Sequence, residues 1–497
     1  MPTYIAIDLG AESGRVIAGT LDGGRVQLEE LHRFPNAPAR LTDGLHWDAP
    51  RLYYEALIGL RIAGQRYGQD LAGIGVDAWA VDYGLLDAAG RLLGNPYHYR
   101  DGRTDGVREA VARVVPAATQ YARTGIAQLP FNTLYQLVAQ RVGGDPTLDV
   151  SQALLMMPDL LHYWLTGERA TEYTNATSTG MLGVDGAWTT DLLARLNVPA
   201  HMLLMPSQSG VTLGPVREAV RAECGIEAVP VILPATHDTA CAVVAVPAVT
   251  PARTAVNHAY ISSGTWSLLG LELDRPILTE EARLAGFTNE GGVGGTYRFL
   301  TNIMGLWLLQ ECRRAWARGG REWSYDELTA RAATIPAPGV ALDVDDPDFL
   351  RPADMPTMIQ AQLARTGQPA VDDPIVLARV IVEGLALKYR VALARAEHLA
   401  GARVETIHIV GGGARNTLLC QLTADACERP VAAGPIEATA WGNVLTQAMG
   451  RGQVRDMAEA RAIVRASTGI RHYEPRDRAY WDDLHGRPRR HGDSAPR

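Results

Sequence analysis

One strand–turn–strand pattern occurs twice in the chain and limits the folds it can adopt. Near the start, IDLGAESGRVI (7–17) leads from an apolar strand through a turn of Gly and Ser into a second strand, and ISSGTWSLL (261–269) repeats that order. Few residues are identical, so the similarity is one of pattern. A repeated supersecondary pattern indicates duplicated domains, and 497 residues exceed the length at which one hydrophobic core keeps growing. We therefore predict two domains with a cleft between them.

The spacing of apolar and turn residues predicts a mixed α/β chain. TYIAIDLG, RVIAGTL and RVQLEELHRF are typical of a three-strand meander, 48–67 of a helix, and MMPDLLHYWLTGE of a helix that ends at a glycine. The stretch VPAVTPARTAVNH (246–258) is the best candidate for a linker. We predict domains at 1–247 and 255–470, followed by a polar, Arg-rich tail (471–497) that we expect to be partly disordered.

Charge and composition narrow the classes of function. A net charge of -8 and a pI near 5.9 argue against nucleic acid or an anionic membrane as the main partner. The five cysteines are never spaced as CxxC, which predicts free thiols in a reducing compartment and no zinc site. The start of the chain lacks the pattern of a signal peptide, and no apolar run approaches the ~20 residues that span a bilayer. We expect a cytoplasmic protein, either a monomer or a homodimer.

The basic residues are almost all arginine, since Lys388 is the one lysine among 47. A bias in coding composition explains most of this. Lys388 lies in a helical pattern with no glycine loop before it, so the phosphate-binding GxxxxGK[ST] motif and the lysine-bearing strand of protein kinases are both absent. A nucleotide, if one is bound, must be held in another way.

The first strand ends in residues that suit phosphate. Asp8 is followed by a tight turn with Gly10, Ser13, Gly14 and Arg15, which offers backbone N–H groups, a hydroxyl and a guanidinium to phosphate oxygens. Asp8 could then hold a hydrated Mg²⁺. An alternative is a hairpin turn in which Asp8 bonds only the turn backbone, and the residues leave both interpretations open.

Two glycine runs carry weaker signals. The triple glycine at 411–413 lies between a strand and a helix, where backbone N–H groups can face a ligand, but its spacing is not that of a dinucleotide-binding fingerprint. The run GGVGGT (291–296) predicts a flexible hairpin.

Four polar residues, Thr236 to Thr239, stand between an apolar, strand-like run and a helical pattern of small residues. A structural interpretation makes Asp238 or Thr239 the N-cap of a helix that begins near Ala240, which accounts for only one of the four. A functional interpretation has Asp238 facing a cleft, where it takes the proton of an attacking substrate hydroxyl while His237 orients the substrate.

Other polar and aromatic residues have structural interpretations. Asp77 and Asp82 could each cap a turn, and Trp79 between them could be core or a surface on which a sugar stacks. We expect Trp307, Cys420 and Cys427 to be core residues.

The order of these motifs resembles the FGGY carbohydrate kinases over nearly the whole chain. The stretches that carry the resemblance are IDLGAESGR, GVDAWAVDYGLLD, HYRDGRT, EYTNATST, ATHDTACAV, ISSGTWSLLG, NEGG, NIMGLWLLQE and HIVGGGARNTLLCQLTADAC. The resemblance implies an α/β fold of two ribonuclease-H-like, actin-type ATPase domains flanking a deep cleft, with the sugar in the first domain and the nucleotide in the second. It implies ATP-dependent phosphorylation of a ketose with Mg²⁺.

The resemblance favours L-rhamnulose, phosphorylated at its 1-hydroxyl, as the substrate. L-Fuculose and D-xylulose are the alternatives within the family. A non-catalytic, ATP-binding regulator on an actin-like scaffold is a third alternative, which the polar residues at 236–239 disfavour.

Site residues follow from the resemblance position by position. Asp238 matches the general base, and Asp8 matches an acid near the metal, acting through water. The nucleotide- and phosphate-binding positions are Ala11, Glu12, Ser13, Gly14, Arg15, Thr265, Gln310 and Gly412. The substrate-binding positions are Ala80, His237, Asp238, Thr239 and Asn302.

Two departures from the family pattern affect these expectations. Ala80 stands where related sequences often have glycine, and its extra methyl group leaves the identity of the sugar open. Thr423 replaces a cysteine found in some members, so no disulfide is expected there.

Overall fold

A computed structural model describes residues 1–249 and 256–486, which form two compact units. Within the described residues the first unit comprises 1–249, 272–299 and 438–468, and the second comprises 256–271, 300–437 and 469–486. Both units are discontinuous because packing does not follow chain order. The domain bounds predicted above are continuous and stay a prediction. Most of the predicted linker and the end of the predicted tail lie outside the described residues.

The strands of the described residues are the following: β1 (Thr3–Leu9), β2 (Ser13–Asp22), β3 (Arg25–Pro35), β4 (Ala39–Arg40), β5 (Leu45–His46), β6 (Leu71–Ala78), β7 (Tyr83–Leu86), β8 (Ala153–Met156), β9 (Thr171–Glu172), β10 (Pro206–Ser207), β11 (Thr212–Pro215), β12 (Pro230–Ile232), β13 (His258–Ser263), β14 (Ser267–Leu273), β15 (Thr288–Gly291), β16 (Tyr297–Ile303), β17 (Thr406–Val410), β18 (Val431–Ala433) and β19 (Arg471–Tyr473).

The α-helices of the same residues are the following: α1 (Ala49–Tyr67), α2 (Val107–Val114), α3 (Ala117–Thr124), α4 (Thr133–Val142), α5 (Thr147–Val150), α6 (Met157–Thr166), α7 (Tyr173–Thr177), α8 (Thr190–Arg195), α9 (Glu218–Cys224), α10 (Asp238–Val244), α11 (Glu280–Leu284), α12 (Trp307–Arg318), α13 (Tyr325–Thr334), α14 (Met355–Arg365), α15 (Pro374–Ala400), α16 (Thr417–Cys427), α17 (Ala438–Gly450), α18 (Met457–Ser467) and α19 (Ala479–Gly486).

The first unit is built on a six-stranded sheet with strand order β11-β12-β6-β1-β2-β3. The predicted meander β1–β2–β3 is confirmed, with antiparallel pairing throughout. β1 is also parallel to β6 and is buried along its whole length. A continuous apolar run is expected of a strand that is covered on both faces. The end of β1, with Asp8, therefore lies in the interior of the unit.

The second sheet repeats this topology. Its strand order is β15-β16-β14-β13-β17-β18-β19. β13 is antiparallel to β14 and parallel to β17, as β1 is to β2 and β6. The next steps also correspond, because β17 is parallel to β18 and β18 antiparallel to β19, as β6 is to β12 and β12 to β11. The duplication predicted from the two strand–turn–strand stretches is confirmed at the level of topology.

The helix boundaries follow local capping chemistry. Asp48 caps α1 by accepting a hydrogen bond from Arg51 N (3.2 Å), and α6 ends at Gly167 in the left-handed conformation (φ 87°). Asn416 caps α16 by accepting from Leu419 N (3.0 Å). Residues 291–296 form the predicted hairpin, in which Gly294 and Gly295 have positive φ.

The predicted core residues have different outcomes. Cys420 and Cys427 are buried as expected, whereas Trp307 is half-buried and its Nε1 donates to Phe349 O (3.0 Å). The described part of the predicted tail (471–486) contains β19 and α19. In the described part of the chain, no helix combines the length and the apolar character needed to cross a bilayer.

Candidate active site

Two buried carboxylates lie side by side where β1 and β6 end. Asp8 and Asp77 are paired in the parallel register of these strands and are 4% and 0% exposed. Burial raises the pKa of Asp77 well above its ordinary value, and the negative charge of Asp8 raises it further. Asp77 Oδ2 accepts a hydrogen bond from Asn443 Nδ2 (2.6 Å), but Asp77 Oδ1 has no hydrogen-bond partner in the described residues. A buried oxygen of this kind is expected to meet a water, an ion or a ligand.

The turn after Asp8 is held from two sides. Gly10 N donates to Ser13 O (3.0 Å), and Asn36 Nδ2 donates to Gly10 O (2.8 Å). Arg15 lies opposite Asp8 in the β1–β2 register, and its Nη2 pairs with Asp8 Oδ2. Asp8 is therefore held by a guanidinium, which the interpretation based on turn backbone alone did not include.

The residues of this turn differ in their surroundings. Ala11, Glu12 and Ser13 are half-buried, as is Arg15. Gly14 is buried, and a Cβ at this position would lie 2.2 Å from ring atoms of Phe34. The packing of Phe34 on β2 therefore requires glycine here, whether or not a phosphate approaches the backbone.

α10 begins with the predicted base. The helix starts at Asp238 with His237 as its N-cap, so the interpretation in which Asp238 or Thr239 caps a helix from Ala240 is wrong. The Asp238 side chain is 32% exposed, and its Oδ1 accepts hydrogen bonds from Thr239 N (2.5 Å) and Thr239 Oγ1 (3.1 Å). Burial raises the pKa of Asp238, His237 opposes that shift, and the charge of Asp8 adds to it. A carboxylate with a raised pKa is a better proton acceptor than an ordinary one.

A buried glutamate, Glu172, holds the residues that lead into α10. Glu172 is 0% exposed, and its Oε2 accepts hydrogen bonds from Thr236 N (3.0 Å) and Thr236 Oγ1 (2.9 Å). The same oxygen accepts from Thr174 N (2.9 Å) at the start of α7, and Oε1 accepts from Ser209 Oγ (2.7 Å). Glu172 thereby ties the residue two positions before the base to α7, because a buried carboxylate is stable when its lone pairs are satisfied.

The end of β6 is tied to the same segment. Ala78 N donates to Thr236 O (2.9 Å), and Ala78 forms an isolated parallel bridge with His237. Ala80 follows two residues later and is half-buried. The end of β6, which carries Asp77, therefore lies beside His237.

Trp79 and Asp82 belong to a buried polar–aromatic cluster. Asp82 Oδ2 accepts hydrogen bonds from Trp47 Nε1 (2.6 Å) and Trp79 Nε1 (3.0 Å), and Gln136 Nε2 donates to Oδ1 (2.8 Å). The rings of Trp47 and Trp79 are 4.1 Å apart. Burial raises the pKa of Asp82 to about 6. Trp79 is 6% exposed, which favours its interpretation as core.

α17 packs closely on the elements that carry the carboxylates. Asn443 Nδ2 also donates to Gly75 O (3.2 Å), and a Cβ at Gly75 would lie 2.9 Å from Asn443 Oδ1. A Cβ at Gly442 would lie 1.8 Å from the carbonyl oxygen of Cys241 in α10. Backbones approach this closely only where a side chain is missing, so the glycines set the position of α10 against β6.

The described residues do not contain a compact metal-ligand cluster. Across 1–249 and 256–486, no three His, Cys, Asp or Glu side chains converge as a metal site. The first unit instead combines one exposed carboxylate (Asp238), an imidazole (His237) and a guanidinium–carboxylate pair (Arg15–Asp8). This set can accept a proton from a hydroxyl and place positive charge near an anion.

In the second unit, two turns contact each other near the predicted nucleotide positions. Thr265, in the β13–β14 turn, accepts a hydrogen bond from Trp307 N (3.2 Å) through its backbone oxygen, at the start of the helix that carries Gln310. A Cβ at Gly413 would lie 2.1 Å from Ser263 Oγ, whereas one at Gly412 would meet nothing within 4 Å. Gly412 is exposed, and the buried Gln310 Oε1 has no hydrogen-bond partner in the described residues.

The structure brings together some of the predicted site residues within each unit. Asp8, Arg15, His237 and Asp238 share one electrostatic neighbourhood of the first unit. Thr265 and Gln310 are joined through the start of α12 in the second, and Asn302 lies half-buried on β16. The roles of all these residues stay predictions.

Sequence reasoning missed several residues of this neighbourhood. Glu172, Glu290 and Arg298 had no assigned role, and Asp77 had only a structural interpretation. The stretches EYTNATST and NEGG were visible as motifs, but nothing in their spacing tied them to His237 or Thr236. Asn443 lies 366 positions from Asp77 and had no local signal.

Models of two family domains match most of the chain. The N-terminal domain of the FGGY family of carbohydrate kinases matches residues 3–245, and its C-terminal domain matches residues 259–451.

Several relatives that are similar over almost their full length carry the name Rhamnulokinase. A protein from Bacteroides thetaiotaomicron is 41% identical, covering 96% of this chain and 97% of the relative. One from Oceanobacillus iheyensis is 40% identical (94% and 97% covered), and one from Pectobacterium carotovorum is 42% identical (95% and 93% covered).

Solved structures of low identity share the fold. A xylulose kinase from Lactobacillus acidophilus has a TM-score of 0.78 at 16% identity, with 98% of this chain and 96% of that chain covered. A xylulose kinase from Rhodospirillum rubrum has a TM-score of 0.75 at 20% identity (97% and 96% covered). The predicted mixed α/β fold of two domains is confirmed by this likeness.

Proposed function

The chain belongs to the FGGY family of carbohydrate kinases, and on this premise we propose that it transfers the γ-phosphoryl group of ATP to the 1-hydroxyl of L-rhamnulose. The products are L-rhamnulose 1-phosphate and ADP. The relatives that carry the name Rhamnulokinase support this choice of ketose, because their similarity extends over 94–96% of the chain.

The proposal rests on the exposure, the raised pKa and the neighbours of Asp238. It is partly exposed at the start of α10, its pKa is raised, and His237 Nε2 lies 3.4 Å from its Oδ1. As the sugar oxygen attacks the γ-phosphorus, Asp238 accepts the hydroxyl proton, and His237 and Thr239 bind neighbouring sugar oxygens. A general base of this kind contributes about 10²- to 10⁴-fold to the rate.

Phosphoryl transfer also requires positive charge on the transferring group. With no P-loop lysine in the chain, the guanidinium of Arg15 and the backbone N–H groups of Ala11 to Gly14 supply it. Arg15 is held by Asp8, which limits the orientations of the guanidinium. Positioned donors of this kind stabilise developing charge without reorganisation.

Magnesium enters as part of the substrate MgATP. Carboxylate oxygens are the protein ligands that Mg²⁺ prefers, and the unpartnered Asp77 Oδ1 beside Asp8 fits such an ion. Asp8, through water, would hold the ion, which when bound neutralises phosphate charge. The location of ATP in cells makes the cytoplasm the expected compartment.

The second unit supplies the proposed nucleotide contacts. The exposed Gly412 can present its backbone N–H to a ligand, because no side chain shields it. Gln310 Oε1 and Thr265 offer acceptor and hydroxyl groups nearby, and Asn302 is the proposed sugar contact of this unit.

ADP release with a panel of ketoses tests the proposal. We expect the highest kcat/KM with L-rhamnulose and lower values with L-fuculose and D-xylulose. Asp238→Asn should lower kcat by about 10²- to 10⁴-fold, while ATP still raises the Tm. Asp22→Asn is the matched control, because Asp22 is exposed at the end of β2.

Each other outcome contradicts a different part of the proposal. A higher kcat/KM with another ketose would make that ketose the proposed substrate. Full turnover by Asp238→Asn would show that Asp238 is not the base. ATP binding with no ketose turned over by the wild type would favour a non-catalytic ATP-binding protein.

A further inference from the structure

A buried ion pair, which the proposed mechanism does not use, lies against His237. Arg298, on β16, is 0% exposed, and its Nε donates to Gly291 O (2.9 Å). Its Nη2 lies 3.1 Å from His237 Nδ1 and 3.1 Å from Glu290 Oε2. Glu290, on β15, places the same oxygen 3.2 Å from His237 Nδ1.

The contact between Arg298 and His237 favours one of the two positions of the ring proton. A guanidinium can only donate hydrogen bonds, so Nδ1 must accept from Arg298 Nη2. A proton on Nδ1 would place two donors against each other, and Glu290 Oε2, 3.2 Å away, would attract that proton only through its charge because it makes no hydrogen bond in the described residues. The ring proton therefore lies on Nε2, the nitrogen that is 3.4 Å from Asp238 Oδ1.

Glu290 balances the charge of Arg298. Its Oε2 makes no hydrogen bond in the described residues, so its interaction with both neighbours is one of charge. Although burial acts to raise the pKa of Glu290, the charge of Arg298 first and the neighbouring His237 second keep it low. A buried guanidinium without such a partner would be strongly destabilising, and the charge of the pair sums to zero beside the ring.

We propose that Arg298, balanced by Glu290, is a positioning residue that holds the His237 ring neutral with its proton on Nε2. The Nε2–H group then donates to a ketose oxygen and cannot take a proton from the attacking hydroxyl. Asp238 is left as the acceptor. This inference rests on the proposed function of the site.

The opposite tautomer would work against the mechanism. With the proton on Nδ1, the lone pair of Nε2 would face the reacting hydroxyl and compete with Asp238 for its proton. The neighbouring carboxylates Asp8 and Asp77 are on β1 and β6 and do not replace the contact to Nδ1. Through its contact with Nδ1, Arg298 therefore keeps His237 as a hydrogen-bond donor to the ketose and leaves Asp238 as the group that accepts the hydroxyl proton.

A double variant tests this role without leaving one charge buried alone. Glu290→Gln/Arg298→Met removes both charges together. We expect kcat/KM for L-rhamnulose to fall about 10- to 100-fold while the KM for ATP stays within about twofold. Glu383→Gln/Arg379→Met, which removes an ion pair of α15 in the second unit whose Glu383 is 0% and Arg379 11% exposed, is the matched control and should keep both values.

A mutant cycle separates positioning from general structure. If the pair acts through His237, the double variant should add less than about twofold to the loss caused by His237→Ala. An equal loss in both backgrounds would show that the pair is only structural and would overturn the proposal. Unchanged kcat/KM in the double variant would overturn it as well.

¹⁵N NMR of histidine-labelled protein reads the tautomer without turnover. The His237 signals are identified by their absence in His237→Ala. We expect an unprotonated Nδ1 and a protonated Nε2 in the wild type, and a mixture of tautomers in the double variant. A proton on Nδ1 in the wild type would overturn the inference. Failure of every ketose in the ADP assay would refute the proposed function alone, because the NMR result does not depend on it.

Discussion

The charge environment of Asp238 determines the conditions under which it can act. Its carboxyl group is the exposed member of a set that includes Asp8 and Asp77, and the two others are almost fully buried. Like charges in a partly desolvated site favour protonation. The same charges that make the Asp238 carboxylate a stronger base therefore also cause it to become protonated at a higher pH than an ordinary aspartate.

The pH dependence of the reaction should show this raised pKa. In the proposed mechanism only ionised Asp238 accepts the hydroxyl proton, and its ionised fraction falls as the pH falls through its pKa. Because that pKa is raised above the ordinary value of about 3.9, kcat/KM for the ketose should decline on the acid side at a pH above about 4. The measurement is a pH profile of kcat/KM at saturating MgATP.

A control separates titration from acid denaturation. Enzyme held at each low pH and returned to neutral pH should recover full activity. An acid limb at or below about pH 4 would contradict the raised pKa.

Single residues also show how far the sequence could predict the site. The base, the arginine of the turn and the histidine stood out because polar residues interrupted apolar runs. Arg298 lies 61 positions from His237, and no local pattern reports a contact over such a distance. Gly14 was assigned to phosphate because it lay in a glycine-containing turn, but the ring that excludes a Cβ belongs to Phe34 on the next strand.

Among the elements, the contact between α10 and α17 sets the geometry of the site. Gly442 of α17 lies against the carbonyl of Cys241, one turn after Asp238. Asn443, the next residue, reaches Asp77. One helix thus positions both the start of α10 and the end of β6.

Gly442→Ala should disturb this contact. Its Cβ would lie 1.8 Å from a backbone oxygen, which cannot rotate away as a side chain can. Overpacking of this kind costs about 1–3 kcal/mol of unfolding free energy, and a shift of α10 would also lower kcat. Urea unfolding and ADP release measure the two effects.

Gly469→Ala is the control for this variant, because a Cβ at 469 meets nothing within 4 Å. It should leave both values unchanged. Wild-type stability and kcat in the Gly442→Ala protein would show that the close contact between α10 and α17 is not needed for folding or activity.

The elements themselves were largely predictable. The predicted helix at 48–67 and the predicted helix stop at Gly167 correspond to α1 and α6, since helix ends depend on residues within a turn of each other. The start of α10 was misplaced because His237, which makes no capping hydrogen bond with its side chain, is not among the residues that usually precede a helix.

At the scale of the whole molecule, the duplicated topology was predictable and the composition of the units was not. Two similar strand–turn–strand stretches were sufficient to indicate duplication. That 272–299 and 438–468 pack with the first unit depends on long-range contacts such as those of Arg298 and Asn443.

The five cysteines allow a test of the whole fold. All are free and buried, and burial raises the pKa of each thiol. Thiolates are the reactive form, so a thiol reagent should titrate fewer than about one cysteine in native protein and all five after unfolding in guanidinium.

Reducing agent should leave the Tm unchanged, because no disulfide is present to reduce. Protein prepared without reductant is the comparison. Fewer than five thiols after unfolding of the fully reduced sample would indicate modified cysteines, and several reactive thiols in the native state would contradict their burial.

The discontinuity of the first unit has a consequence for biosynthesis. The strands that carry Asp8 and Asp77, and the helix that carries Asp238, leave the ribosome well before α17 and the β15–β16 hairpin that pack on them. At ~5–20 residues per second, translating the roughly 200 residues up to the end of α18 takes about 10–40 s. During most of that interval Asp77 at the end of β6 lacks its partner Asn443, whereas Glu290 and Arg298 follow α10 after only about 50 residues. The first unit, which carries the proposed base, is therefore completed late in its own synthesis, and a chain truncated before residue 438 should stay dependent on chaperones.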